Sequence, residues 1–100
     1  MESYLNSLIG KFFKVSRSGY TDVFKVQLLK DCLTGEFYDI LESRNSGSGY
    51  HFIRITTVRA VSCFINIQTL KEKGILKEIT EEEFNTFVEE VRHLILTTNE

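Results

Sequence analysis

The chain has no tryptophan or proline, only two cysteines, and no long run of apolar residues. Cys32 and Cys63 form no CxxC motif and no cysteine framework, which excludes a small secreted protein stapled by disulfides and indicates a reducing compartment. No apolar run approaches the roughly 18 residues that a membrane-spanning helix needs. The first residues also lack the basic region and apolar stretch of a signal peptide. We therefore expect a soluble, cytoplasmic protein with no membrane partner.

Motifs for catalysis and metal binding are also missing. The two histidines, His51 and His93, lie far apart and have no partner residues at metal-ligand spacing. No GxSxG or similar nucleophile motif occurs. The acidic run Glu81–Glu83 resembles a carboxylate cluster, but helix capping explains it better because it lies at the start of a predicted helix. The sequence thus predicts no enzyme, no cofactor and no metal site.

What is present is an ordinary globular composition. The 100 residues include 42% hydrophobic and 26% charged residues, far from the composition of disordered chains. A chain of this length forms one core and buries roughly 65% of the surface that it exposes when unfolded. We expect a single domain over residues 1–100.

Short alternating runs of β-branched and aromatic residues, separated by Gly, Ser, Asp and Asn, predict a β-rich middle of the chain. A short helix is expected over residues 1–9, followed by a β meander over residues 11–79. The predicted strands cover residues 11–17, 23–30, 36–43, 50–57, 59–67 and 75–79. Because short connections favour antiparallel neighbours, the predicted fold class is α+β. Its expected form is a small antiparallel five-to-six-stranded barrel or bent sheet, with a short N-terminal helix and an amphipathic C-terminal helix.

The C-terminal helix, predicted over residues 80–97, has the strongest signals. Thr80 and Glu83 have the spacing of a capping box, and Ile79 and Phe84 occupy the two positions of a hydrophobic staple. Apolar residues then recur at helical spacing, at Phe84, Phe87, Val88, Val91, Leu94 and Ile95. This stripe requires a partner surface that buries it.

The predicted strands carry more apolar side chains than one interior can hold. Successive side chains of a strand point to opposite faces, so Ile53 and Ile55 share one face, while Phe52 and Arg54 share the other. Three kinds of cover are open for the second apolar face. We expect the C-terminal helix to cover most of it, and a second copy of the chain or a bound ligand could cover the rest.

Aromatic and basic side chains in the strands are the candidate binding residues. Interleaved rings and cations suit a nucleotide or a single-stranded nucleic acid, because rings stack on bases and cations attract phosphates. The candidates are Phe12, Lys14, Lys25, Arg44, Tyr50, Phe52 and Arg54. The Gly/Ser-rich loop Ser43–Gly49 could bring backbone N–H groups to a phosphate, although a hairpin turn explains it better. The sequence pI of about 5.7 argues against nonspecific binding to a phosphate backbone.

Three segments, Gly10–Val15, Val23–Val26 and Glu78–Phe84, together with a Tyr20-containing turn, resemble small uncharacterised bacteriophage proteins. Those proteins look like short β-barrels with a terminal helix. The resemblance implies no catalytic or binding residue in this chain. It implies a setting in which small proteins bind and block host components or sequester nucleotide signals.

Two functions stay open at this point, and an enzyme is the least expected third. The leading hypothesis is a non-enzymatic binding protein, a homo-oligomer that presents an aromatic and basic surface to a protein partner. Such a protein would be a phage-encoded inhibitor of a host or defence factor. The alternative is capture of an anionic nucleotide or single-stranded nucleic acid by Lys25, Tyr50, Phe52, Arg54 and the Ser43–Gly49 loop.

Overall fold

The computed structural model describes the chain over residues 8–32 and 35–98. Over this part, the chain is α+β, with a five-stranded antiparallel sheet and two helices. The strands and helices, in chain order, are β1 Phe12–Arg17, β2 Tyr20–Cys32, β3 Gly35–Ser46, β4 Phe52–Arg59, α1 Ala60–Glu72, β5 Leu76–Ile79 and α2 Glu81–Thr98. The helix expected over residues 1–9 falls almost wholly outside the described residues.

The five antiparallel strands are confirmed, but the sheet is open, so the barrel, one of the two predicted forms, is wrong. The strand order is β4-β3-β2-β1-β5, which leaves β4 at one edge and β5 at the other. The first four strands form the expected meander, because each is antiparallel to the strand before it. Closure fails because the chain leaves β4 through a helix, returns at the far edge, and pairs β5 with β1.

The strand predicted over residues 59–67 is also wrong, because this segment forms most of α1. The prediction followed the alternation of Val61 with Ile65 and their neighbours, which is ambiguous in a short apolar run. Helical spacing is present in the same residues, and the structure buries Ala60, Cys63 and Ile67. The helix ends at Glu72, and Gly74 follows with a φ of +71°, which is costly for other residues.

The C-terminal helix is confirmed as α2, one residue later at each end than predicted. The Glu83 backbone N–H donates to Oγ1 of Thr80 at 3.1 Å, and the Thr80 N–H donates to Oε1 of Glu83 at 3.3 Å. These reciprocal bonds are the predicted capping box. Ile79 and Phe84 at the staple positions are both buried. The local sequence therefore determines where this helix begins.

Each face of the sheet has its own apolar core and its own helix. The front face, which carries Phe13, Val26 and Tyr38, packs against Ala60, Cys63 and Ile67 of α1. The back face, which carries Phe12, Val23 and Ile79, packs against Phe84 and Val88 of α2. The surplus apolar surface is thus covered by two helices, one of which was predicted. Neither helix of the described chain has the length and apolarity needed to cross a membrane.

Candidate functional site

The candidate site lies on the front face, where the start of β2, the end of β3 and the start of β4 lie side by side. Strand register places Asp22, Arg44 and Phe52 opposite one another in one row across the three strands. The next row contains Phe24, Glu42 and Arg54. Side chains directly opposite on one face lie close enough to interact, so charged and aromatic groups of three strands meet here.

A bidentate ion pair joins Arg44 to Asp22. Arg44 donates from Nε to Oδ1 of Asp22 at 2.7 Å and from Nη2 to Oδ2 at 2.9 Å. Asp22 is buried, with 8% of its surface exposed, and the pair holds the planar guanidinium in one orientation. The hydrogen bond to Asp22 is the main cause that raises the pKa of Arg44 above its ordinary value.

Aromatic rings surround this ion pair. The guanidinium of Arg44 lies 4.1 Å from the centre of the Tyr20 ring and 5.0 Å from that of Phe52. Arg54 lies 4.3 Å from the Phe52 ring centre, and the Tyr50 ring meets Phe52 edge-on at 5.6 Å. These distances are in the range of cation–π and edge-to-face contacts.

Glu42 completes the group by pairing with the second arginine. Arg54 donates from Nε to Oε2 of Glu42 at 3.2 Å, and the other carboxylate oxygen lies 3.9 Å from Nη2 of Arg44. We call these seven side chains the arginine–aromatic cluster: Tyr20, Asp22, Glu42, Arg44, Tyr50, Phe52 and Arg54. The two arginines and two carboxylates balance, so the cluster has no net charge.

A cleft of about 460 Å³ lies beside the cluster, between the front face and α1. Its walls are mainly apolar and include Val15, Phe24, Ile40, Val58, Ile67 and Leu70. The cluster residues Tyr20, Asp22, Glu42 and Arg44 form one side of it. The cleft has the size and apolar lining typical of small-molecule sites.

The seven predicted binding residues do not share one surface. Arg44, Tyr50, Phe52 and Arg54 come together in the cluster. The other three, Phe12, Lys14 and Lys25, belong to the back face because of the register of β1 and β2. The predicted set therefore combines residues that point to opposite faces of the sheet.

Phe12 is not available for stacking on a ligand. It is 9% exposed and its ring centre lies 5.1 Å from that of Phe84 in α2. The Lys25 ammonium lies 5.4 Å from the Phe12 ring centre. The back-face part of the predicted set is therefore occupied by packing against α2.

The Ser43–Gly49 loop uses its own backbone donors. Gly47 donates its N–H to the Gly19 carbonyl at 2.9 Å, and Gly49 donates to the Ser46 carbonyl at 3.1 Å. The Ser48 N–H lies 3.3 Å from the Ser46 hydroxyl, which accepts from it. These contacts describe a hairpin turn whose backbone donors bond within the turn and to the neighbouring turn between β1 and β2.

Sequence reasoning missed Tyr20, Asp22 and Glu42 as parts of the site. The sequence shows that these residues are charged or aromatic and lie in predicted strands or turns. It does not show that they face Arg44, because that depends on the pairing register of β2, β3 and β4. Among the described residues, no three His, Cys, Asp or Glu side chains converge as a metal site would require.

Comparisons with known proteins add no assignment. No protein-family model, curated protein or solved structure matches this chain significantly.

Proposed function

We propose that this chain is a non-enzymatic binding protein that recognises a protein partner through the arginine–aromatic cluster. The observation that supports this most is the ordered arrangement of Arg44 and Arg54 around the Phe52 ring, with each guanidinium fixed by a carboxylate. Arginine and aromatic side chains are the types that contribute most binding energy in protein interfaces.

Pre-organisation supports this role. A side chain held in one conformation before binding loses less conformational entropy when the complex forms. Arg44 is held by two hydrogen bonds to Asp22, while Tyr50 is 62% exposed and Arg54 is 51% exposed in its side chain. The cluster therefore combines a fixed base with accessible groups that a partner can contact.

The charge of the cluster favours a protein over a nucleic acid. Phosphate binding draws on unpaired cations, and its affinity rises with the number of phosphates neutralised. Both cluster arginines already have carboxylate partners, in Asp22 and Glu42. Phe12, the third ring among the predicted binding residues, packs against Phe84 of α2, which leaves fewer rings for bases.

The resemblance to phage proteins extends the proposal to the type of partner. We propose a host or defence protein whose surface offers planar and apolar groups to the cluster. The nucleotide and single-stranded nucleic acid alternative is retained as an outcome of the test below.

The test is capture of a partner from bacterial lysate by three immobilised forms of the chain. The double variant Tyr50→Ala/Arg54→Ala removes two accessible cluster groups, and Ile55→Ala is the control. Ile55 is the next residue of β4, is 63% exposed and belongs to the back face. We expect wild type and Ile55→Ala to retain the same partner and the double variant to lose it, with affinity reduced roughly tenfold or more.

Two results would overturn the proposal. One is a partner retained equally by all three forms, or no specific partner at all. The other is a rise in Tm with an oligonucleotide or nucleotide that disappears in the double variant and, for the oligonucleotide, weakens steeply with salt. This second result would establish the alternative function.

A further inference from the structure

The cleft between the front face and α1 has a chemistry different from that of the cluster beside it. Apolar side chains of β1 to β4 and α1, which include Ile40, Val58, Ile67 and Leu70, make up most of its lining, and Thr56, Asn66 and Thr69 add a few uncharged polar groups. Tyr50, Phe52 and Arg54 do not line it. A ligand that fills the cleft would thus contact residues that the protein partner need not touch.

Two cations border this cleft and have no carboxylate partner among the residues that the structure describes. Arg17 ends β1, and Lys73 follows the last residue of α1; both line the cleft and both are exposed. They border the same end of the sheet, because Leu76 pairs with Val15 shortly after α1 ends. In the described part of the chain, no Asp or Glu lies within ion-pair distance of either one.

The other charges of the cleft are already paired. Asp22 and Arg44 neutralise each other, and Glu42 is paired with Arg54. The last carbonyls of α1 are also satisfied, since the Ile75 N–H donates to the Leu70 carbonyl at 3.2 Å. Arg17 and Lys73 therefore give the cleft an excess of positive charge at one end.

We propose that the cleft binds a small molecule with an apolar acyl chain and a single carboxylate, the chemistry of a free fatty acid. The chain would lie along the apolar walls, and the carboxylate would lie between Arg17 and Lys73. The unpaired cations make a purely neutral ligand a poorer match than an anion.

The first measurement is a methyl NMR titration with decanoate, kept below its micelle concentration. We expect shifts in the methyl groups of Val58, Ile67 and Leu70, which line the cleft. Val88 and Val91 of α2 are the internal control and should not shift. Equal shifts on both sides of the sheet, or none on either side, would overturn the proposal.

The second measurement tests the carboxylate contact. The double variant Arg17→Gln/Lys73→Gln removes the two bordering cations, while Lys11→Gln/Lys77→Gln makes the same charge change at positions that do not line the cleft. We expect the first to weaken decanoate binding roughly tenfold, since exposed ion pairs each contribute modestly, and the second to leave it nearly unchanged. Decanol should bind equally to all three forms, because it has no charge to pair.

Decanoate affinity that is the same in both double variants would overturn the proposed head-group contact. The Tyr50→Ala/Arg54→Ala variant separates this inference from the proposed function. We expect it to bind decanoate as the wild type does, even though it no longer retains the protein partner.

Discussion

The two helices cover opposite faces of one sheet, but their sequences support them to different degrees. α2 begins with a side-chain capping box at Thr80 and Glu83 and has three acidic residues in its first turn. α1 begins at Ala60, its N-cap residue Arg59 forms no side-chain capping bond, and its first turn has no acidic residue. It also leaves Val61 and Ile65 more than half exposed.

This difference between the helices corresponds to a difference between the two faces of the sheet. A helix with weak local signals depends on tertiary contacts for its stability, whereas a capped amphipathic helix is favoured by its own sequence. The face under α1 also carries the arginine–aromatic cluster and a cleft of about 460 Å³, compared with about 320 Å³ for the cleft between the back face and α2. We infer that α2 is the helix that its own sequence stabilises more, and that the face under α1 carries the proposed binding surface, although each face has a buried apolar core.

Removing the main aromatic anchor of the back face should have the largest effect. Phe84 is 3% exposed and contacts Phe12, so Phe84→Ala should lower the free energy of unfolding by about 3–5 kcal/mol. Phe87→Ala is the control on the same helix, and its smaller burial predicts a clearly smaller loss. Urea unfolding followed by circular dichroism measures both. A Phe84→Ala loss below about 1 kcal/mol would contradict the packing of α2 described above.

Breaking the ion pair of the front face should have an intermediate effect. Asp22→Asn leaves Arg44 without its bidentate partner, and we expect a loss of roughly 1–3 kcal/mol, less than for a fully buried pair. The reason for the lower range is that the Arg44 side chain is 26% exposed. Glu78→Gln, which breaks the exposed Lys11–Glu78 pair, should cost no more than about 1 kcal/mol. Equal losses in the two variants would show that the cluster is not held by this pair.

High pH should destabilise the front-face core. Burial raises the pKa of the Cys63 thiol from 9.0 to about 11, and burial with nearby Cys63 and Glu36 raises the pKa of Tyr38 to about 12. Because the folded state favours the neutral forms, this stability is fully present below pH 9 and is lost as the pH rises to about 12.

The measurement is the free energy of unfolding against pH for wild type and Cys63→Ala. Each group contributes a slope of at most about 1.4 kcal/mol per pH unit. We expect the variant to have the flatter profile between pH 9 and 11, because only the wild type has a thiol that ionises in the unfolded state and stays neutral in the folded state over this range. Parallel profiles would mean that the thiol is not shielded from water in the folded protein.

Substitutions at the helix caps should have the smallest effects on the free energy of unfolding, and the effects at α1 and α2 should have opposite signs. Thr80→Ala removes the cap of α2 and should cost about 1 kcal/mol. Arg59→Asn supplies a cap that α1 lacks and should stabilise by up to about 1 kcal/mol, less a few tenths for the lost contact with the Phe37 ring. That contact places the Arg59 guanidinium 5.6 Å from the ring centre. The measurement is the Tm of each variant. If both substitutions shifted the Tm in the same direction, the two helices would not differ in capping as described.

Sequence reasoning succeeded where the signals are local. The capping box and apolar stripe predicted α2, and the alternation of Phe52 and Arg54 with Ile53 and Ile55 predicted which residues of β4 share a face. It failed for α1, because a short apolar run can fit both the helical and the strand spacing of apolar residues. The choice between them depends on the sheet that the segment covers.

The site was less predictable than the fold because it depends on register. A β-bulge between Val26 and Leu28 shifts the pairing of β2 with β3 by one residue. Without that shift, Asp22 would lie opposite Asn45, and its ion pair with Arg44 would not form. Nothing in the sequence alone locates the bulge, so the cluster could not be assembled from residue types.

Native-state amide hydrogen exchange tests most directly whether the two helices differ as described. Exchange reports the free energy of the local opening that exposes each amide. We predict that amides of α1 exchange through openings of lower free energy than the amides of α2 between Phe84 and Val91. Protection of α1 equal to or greater than that of α2 would contradict the account.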